Sequence, residues 1–214
     1  FVNGPCGMKW QIRRGIMDDG WYWEMSTNYS IWCASMMTKA GLALRPWGME
    51  LLKARLPGVY HKSVGVQSQP GEADKAWGPP EHGMYISVWG PNKRNYRQIR
   101  DLWDALVPQI MPDATIPGIN DAFPLIKIGN GFDVAAYAYG DSDYLKYATG
   151  ENLLYPVDRS EVEDKDEEEL LPSTRADNAG MALLRSQGSK SPQDQYHAVL
   201  SYGSHGAHHG HWDR

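Results

Sequence analysis

Asp158-Arg159-Ser160-Glu161-Val162-Glu163-Asp164-Lys165-Asp166-Glu167-Glu168-Glu169-Leu170-Leu171-Pro172 divides the chain. Eight carboxylates between residues 158 and 169 face only Arg159 and Lys165, and Pro172 closes the run. Like charges at this density repel and stay solvated, so the stretch reads as an acidic linker over 158–172. Calcium binding is the sharper alternative, but the run lacks the Gly and the terminal Glu of a recognised loop. Before the run the apolar spacing is helical. Tyr96, Ile99, Leu102, Trp103, Leu106 and Ile110 trace a 3.6-residue period, predicting a helix over 95–110 that stops at Pro112. Trp32, Met36 and Ala40 recur every four residues, predicting a second helix over 29–41, with N-cap candidates in Ser26-Thr27-Asn28 and Gly41 as its C′ residue. Residues 42–56 continue the helical pattern after Pro46, and short helices are expected at 132–139 and 142–149. Residues 57–92 form a long connection rich in Gly, Pro, Ser and His, with a candidate strand at 84–89, and 112–123 a shaped loop. After Pro172 the period shortens. Residues 179–185 and 196–202 read as two antiparallel strands joined by turn material at 186–195. Helices first and strands afterwards is the order expected of separate α and β units.

The 214 residues are 42% hydrophobic and 22% charged, enough to bury a core and too apolar for wholesale disorder. No stretch approaches the roughly 18 consecutive apolar residues of a membrane span, and residues 1–10 lack the basic-then-apolar order of a signal peptide. No membrane insertion is expected. A formal charge of −5 argues against nucleic acid as a bulk partner, because a binder needs a basic surface to displace counterions. Cys6 and Cys33 are the only cysteines and make no disulfide framework.

Two biases remain. Of 24 aromatic residues, 21 are Trp or Tyr, rings with a polar handle suited to sugar surfaces and equally to a core with wet edges. Of seven histidines, His205, His208, His209 and His211 fall in the last ten residues. On a strand, His209 and His211 share a face, as imidazoles offered to one metal ion or one cleft do, and a solvated polar C-terminus is the plainer account. In Asp19-Gly20-Trp21-Tyr22-Trp23-Glu24-Met25-Ser26-Thr27-Asn28-Tyr29, Tyr29 enters a helix beside a carboxylate and two Trp rings. It suits proton transfer in an aromatic cleft, provided a cation, metal or histidine favours its phenolate. The alternative is packing, with the polar ends hydrogen-bonded.

Four stretches together resemble one family. Residues 19–29 are similar to the Asp-Gly-x-x-x-Glu-x-Ser-x-x-Tyr signature of the heparinase II/III-type polysaccharide lyases, which include alginate and oligoalginate lyases. Met111-Pro112-Asp113 through Pro117-Gly118-Ile119-Asn120-Asp121 resembles its Pro-Asp-Gly-x-x-Pro-x-x-Asn-Asp stretch, with Ala114 where Gly is usual. Asn178 to Ser186 resembles its Ala-Gly-x-x-x-x-Arg-Ser strand, and Tyr202 to Arg214 its Gly-x-His-Gly-x-x-His-Gly-His-x-Asp-Lys motif, with Arg214 in place of Lys.

The resemblance implies an α+β multidomain fold: the C-terminal part of an incomplete (α/α) toroid over 1–157, the linker, and the first strands of an antiparallel β-sandwich over 173–214. It implies cleavage of a uronic-acid polysaccharide, alginate or heparin/heparan-like, by β-elimination. Tyr29 matches the catalytic tyrosine, which protonates the leaving group and is also a candidate base. His209 matches the catalytic histidine, and His211 a ligand of a structural zinc. Trp21, Trp23, Glu24, Asn120, Asp121 and His205 are the candidate substrate-binding residues. The family's carboxylate-neutralising Asn or His falls before Phe1 and its other zinc ligands after Arg214, so 1–214 is expected to be an internal fragment, inactive alone. Lyases of this type are usually periplasmic or secreted. Against a polyanionic substrate, Arg13, Arg14, Lys93, Arg94, Arg97 and Arg100 are the available basic residues, for which ordinary surface solvation is the plainer expectation. The alternative functions are a non-catalytic carbohydrate-binding module and a zinc-binding module built on residues 205–211.

Overall fold

A computed structural model describes residues 1–4, 7–58, 96–119, 122–160, 170–177 and 179–202. The elements are α1 (Met8–Gly15), α2 (Thr27–Leu44), β1 (Leu56–Pro57), β2 (Tyr96–Arg97), α3 (Arg100–Leu106), β3 (Thr115–Pro117), β4 (Leu125–Lys127), α4 (Gly129–Tyr139), α5 (Ser142–Leu145), β5 (Thr174–Ala176), β6 (Met181–Arg185) and β7 (His197–Ser201). Helices with small antiparallel sheets make a mixed α/β fold.

Helix α2 starts where Ser26 Oγ accepts the Tyr29 N–H at 3.4 Å, relieving one of the unpaired donors of the first turn. Its buried face is Ser30, Ala34, Met37, Thr38 and Gly41. Two of the residues that mark the period face outward, with Trp32 61% and Met36 67% exposed. Small residues line the buried side because α3 and α4 bring larger ones to it. Trp103 on α3 is fully buried and donates its Nε1–H to Thr38 Oγ1 at 2.9 Å, while its ring meets Phe132 of α4 edge-on at 5.3 Å. Spacing alone selects the wrong face here, since a four-residue repeat exists on both. Gly41 is no C′ residue either: it lies buried within the helix beneath Leu52, and α2 continues to Leu44. The helical pattern expected over 42–56 resolves into two 3₁₀ turns, Arg45–Trp47 and Leu51–Lys53. Pro46 lacks the N–H an α-turn needs, and Gly48 between the turns is left-handed at φ +72°.

The helix expected over 95–110 is shorter than its apolar period. Ile99, Leu102, Trp103, Leu106 and Ile110 are all buried as the period requires, but α3 covers only Arg100–Leu106 and passes into a 3₁₀ turn at Val107–Gln109, where Pro108 cannot donate. Ahead of it Tyr96 and Arg97 pair with Pro57 and Leu56 as an antiparallel strand. Arg97, counted among the surface cations, is 3% exposed and forms a buried ion pair with Asp18, while its Nε–H bonds Ile16 O at 2.7 Å. Arg100 is occupied as well. It pairs with Asp104 at 3.4 Å and with Asp141, and lies over the Tyr144 ring at 5.4 Å, tying α3 to α5. Burial, then the hydrogen bond to Asp104, pushes the Tyr144 phenol pKa up.

The region read as a shaped loop contains a hairpin. β3 and β4 pair as Thr115↔Lys127, Ile116↔Ile126 and Pro117↔Leu125. The turn into β3 puts Ala114 at φ +58°, with its N–H on Met111 O at 2.9 Å. A left-handed residue with a Cβ carries about 1–2 kcal/mol of strain, and glycine gives back about 0.4–1 kcal/mol through the freer unfolded chain. Ala114→Gly is therefore expected to stabilise the protein by up to about 1 kcal/mol, read as a rise in denaturant midpoint at unchanged slope. A fall in midpoint would show that the turn is unstrained.

After residue 172, β5–β6–β7 form one antiparallel sheet in that order. β6 and β7 are the two expected strands, registered from Met181↔Ser201 to Arg185↔His197. β5 was not expected; three residues, one of them Arg175, are too short to show a period. Among the described residues no helix is long and apolar enough to cross a membrane.

Candidate functional site

Three of the four stretches singled out in the sequence meet at one corner. The first is the turn after α1, where Met17 N bonds Trp21 O at 2.8 Å and Gly20 N bonds Met17 O at 3.0 Å. Gly20 holds φ +87°, and a Cβ there would strike the Asp101 carbonyl of α3, so the Asp-Gly pair fits this approach. The second stretch docks on the start of α2. Thr27 Oγ1 donates to Pro117 O at 2.9 Å and accepts from Ile119 N–H at 3.1 Å. Gly118 between them admits no side chain, because its Cβ would overlap the Phe123 carbonyl. The third stretch arrives through Asp19, whose Oδ1 accepts the Trp21 N–H and whose Oδ2 accepts the Ala179 N–H at 2.9 Å. Met17, Trp21, Met25, Ile119, Ala176, Ala179 and Met181 fill the corner as one buried apolar cluster.

β7 returns to this corner. Tyr202 N bonds Gly180 O at 2.7 Å, and its hydroxyl donates to Asp177 Oδ1 at 3.0 Å. Burial raises the Tyr202 pKa first, and the Asp177 and Asp19 carboxylates add to the shift. The chain leaves Tyr202 toward the fourth stretch.

Of the predicted site residues, four are described, all in this corner. Tyr29 is half-buried in the first turn of α2, its ring edge-on to exposed Trp32 at 5.7 Å and 87°. Glu24 is half-buried in the turn before it. Trp21 is 1% and Trp23 6% exposed, so both rings lie against protein. Asn120, Asp121, His205, His209 and His211 lie outside the described residues, as do Lys93, Arg94 and the candidate strand at 84–89. No group of three or more His, Cys, Asp and Glu side chains placed to hold a metal occurs among the described residues.

Sequence reasoning passed over a polar pair behind Tyr29. Tyr22 N bonds Ser30 Oγ at 3.3 Å and its hydroxyl donates to Gln11 Oε1 at 3.4 Å. Burial, aided by Cys33 and Glu24 nearby, raises the Tyr22 pKa far beyond a free phenol's. Tyr22 therefore stays protonated and is no base. Burial likewise pushes the Cys33 thiol up to about 12, against a lowering hydrogen bond with Tyr22. The thiolate is the nucleophile, so Cys33 is expected to resist alkylation in the native protein and to react on unfolding, as mass spectrometry would show. Equal labelling in both states would contradict this environment. No periodic pattern marked the pair, since Tyr22 lies against its own neighbour Trp23 with ring centroids 5.9 Å apart.

Met25 adds a backbone feature, with φ +54° while 1% exposed. A non-glycine residue held left-handed directly before the N-cap costs free energy, and such positions concentrate where geometry is set for function. No protein-family model, curated protein or solved structure matches the chain.

Proposed function

We propose that the chain belongs to a polysaccharide lyase of the heparinase II/III type, which cleaves a uronic-acid polysaccharide by β-elimination. The observation that carries the reading is the meeting of residues 17–29, 114–119 and 176–181 at one corner, with β7 delivering the chain to it at Tyr202. Stretches that resemble one family's signature and lie far apart in the chain meet there, as the parts of one site would. The left-handed backbone at Ala114, where the family pattern has Gly, supports the same reading.

In β-elimination the C5 proton, acidified by the adjacent carboxylate, is removed, the C4–O bond breaks and a C4=C5 double bond forms. Tyr29 is assigned the proton donation to the leaving oxygen, and His209 the removal of the C5 proton or stabilisation of the charge there. Glu24, Asn120, Asp121 and His205 are the proposed substrate contacts, while Trp21 and Trp23 are buried and serve as packing. His211 is the proposed ligand of a structural zinc; the described residues supply no ligand set for it, and no step depends on it. The toroid, the sandwich and a periplasmic or secreted location belong to the same proposal.

The test is to incubate the natural full-length protein with alginate, heparan sulfate and hyaluronan and follow the ultraviolet absorbance of the unsaturated uronate. Product with one of them is expected. Binding without product would favour the carbohydrate-binding module instead, and silence with all three overturns the assignment.

A further inference from the structure

Two polar contacts, one beside each end of β6, hold the sheet on the helical unit. One is the Ala179 N–H on Asp19. The other is Arg185, the last residue of β6, which is 6% exposed. Its Nη1 donates to Pro172 O at 2.5 Å, and its Nη2 donates to Pro108 O at 3.1 Å and Ile110 O at 3.0 Å. Pro108 and Ile110 belong to the turn that ends α3, so the guanidinium spans helical unit, linker end and sheet together. Gln109 Nε2 on Thr174 Oγ1, at 3.3 Å, lies between the same two units.

Among the described residues no carboxylate pairs with Arg185. Burying a guanidinium against carbonyl dipoles alone is a costly way to close an interface that an apolar side chain could fill. Its planar fork does what an apolar side chain cannot, fixing three carbonyls in direction at once. The apolar cluster at Met181 and Ala176 seats one end of the sheet, and Gln109 with Arg185 ties the other. Contacts from residues at or beyond opposite ends of a strand that runs roughly 13 Å fix its direction better than contacts at one end.

We propose that Arg185 is a positioning residue: it sets the angle of the β5–β6–β7 sheet on the helical unit, and with it the place of Tyr202, where the chain leaves β7, relative to Tyr29 on α2. The consequence for turnover rests on the lyase reading, in which Tyr29 and His209 act on one sugar; the placement itself does not.

The test uses the natural full-length protein with Cys6 and Cys33 changed to serine and spin labels at Ala43 on α2 and Ala198 on β7, both exposed. Pulsed dipolar spectroscopy is expected to give a narrow distance distribution in the parent, and a broadened or displaced one in Arg185→Met and Arg185→Lys. Lysine keeps the charge and loses the fork, so it carries the test even where methionine fails to fold. Distributions unchanged from the parent overturn the proposal whatever the activity. Given turnover, kcat per folded molecule falls by up to about 10²-fold with KM little changed, since misplacement by about 1 Å has that effect. A kcat loss that merely follows the folded fraction also overturns it. A broadened distribution in a protein that makes no unsaturated product sinks the lyase reading and upholds the placement.

Discussion

Arg97→Met is expected to lower the unfolding free energy by about 3–5 kcal/mol, the usual result of removing one partner of a buried ion pair. Both partners are sealed, Arg97 at 3% and Asp18 at 2% side-chain exposure. The variant takes the guanidinium away from the buried Asp18 carboxylate, and frees Ile16 O from the Arg97 Nε–H. Against a typical total of about 5–15 kcal/mol, that is a large fraction of the fold's stability. Removing one partner of a buried pair costs more than replacing both. Arg97→Met with Asp18→Leu is therefore expected to recover much of it, because a buried pair replaced by apolar groups of similar volume is often neutral. Denaturant unfolding of the two single variants and the double variant would show this. A loss below about 1 kcal/mol for Arg97→Met would mark the pair as an ordinary solvated surface contact.

Tyr29→Phe carries the largest expected effect on activity. The substitution removes one hydroxyl and keeps the ring that meets Trp32 edge-on. The N-cap is untouched, since the Tyr29 contribution to it is the backbone N–H on Ser26 Oγ. The fold should survive, and the loss should fall on the chemical step. A positioned proton donor contributes about 10²–10⁴-fold, so kcat should drop within that range while KM stays close to the parent's. Glycan binding should persist. A rise in KM at unchanged kcat would instead make Tyr29 a binding residue.

The helix type was legible where the buried residues made up the pattern: Ile99, Leu102, Trp103, Leu106 and Ile110 are the core of α3 and its turn. β6 and β7 lie where two strands were expected after Pro172, although neither alternates in burial and β7 buries no residue. Boundaries failed where a local backbone constraint outweighs the period. Pro108 tightens the end of α3, and pairing with β1 draws Tyr96 and Arg97 into a strand. The spacing that marked α2 did not tell its buried face: beside Trp103 of α3 the helix buries Ser30, Ala34, Met37, Thr38 and Gly41 and turns its own Trp32 outward. No single-segment pattern carries that information, because the decision belongs to the partner helix.

For the site, short sequence signals marked residues 19–29, 111–121 and 178–186, and the structure supplies the contacts among them: Thr27 with Pro117 and Ile119, and Asp19 with Ala179. Such contacts span 90 residues or more of chain and leave no periodic trace. The burial of Trp21 and Trp23 was equally hidden, because an aromatic pair beside a carboxylate looks the same in a cleft and in a core. Arg185 was marked as the Arg of the Ala-Gly-x-x-x-x-Arg-Ser resemblance, but its contacts were not legible, since its partners are backbone carbonyls, which every sequence has.

The most direct measurement is the ultraviolet absorbance of unsaturated uronate released by the natural full-length protein, run beside its Tyr29→Phe variant on the same polymer. The account predicts product from the parent and a loss of about 10²-fold or more in the variant. Product formed equally well by both would contradict it.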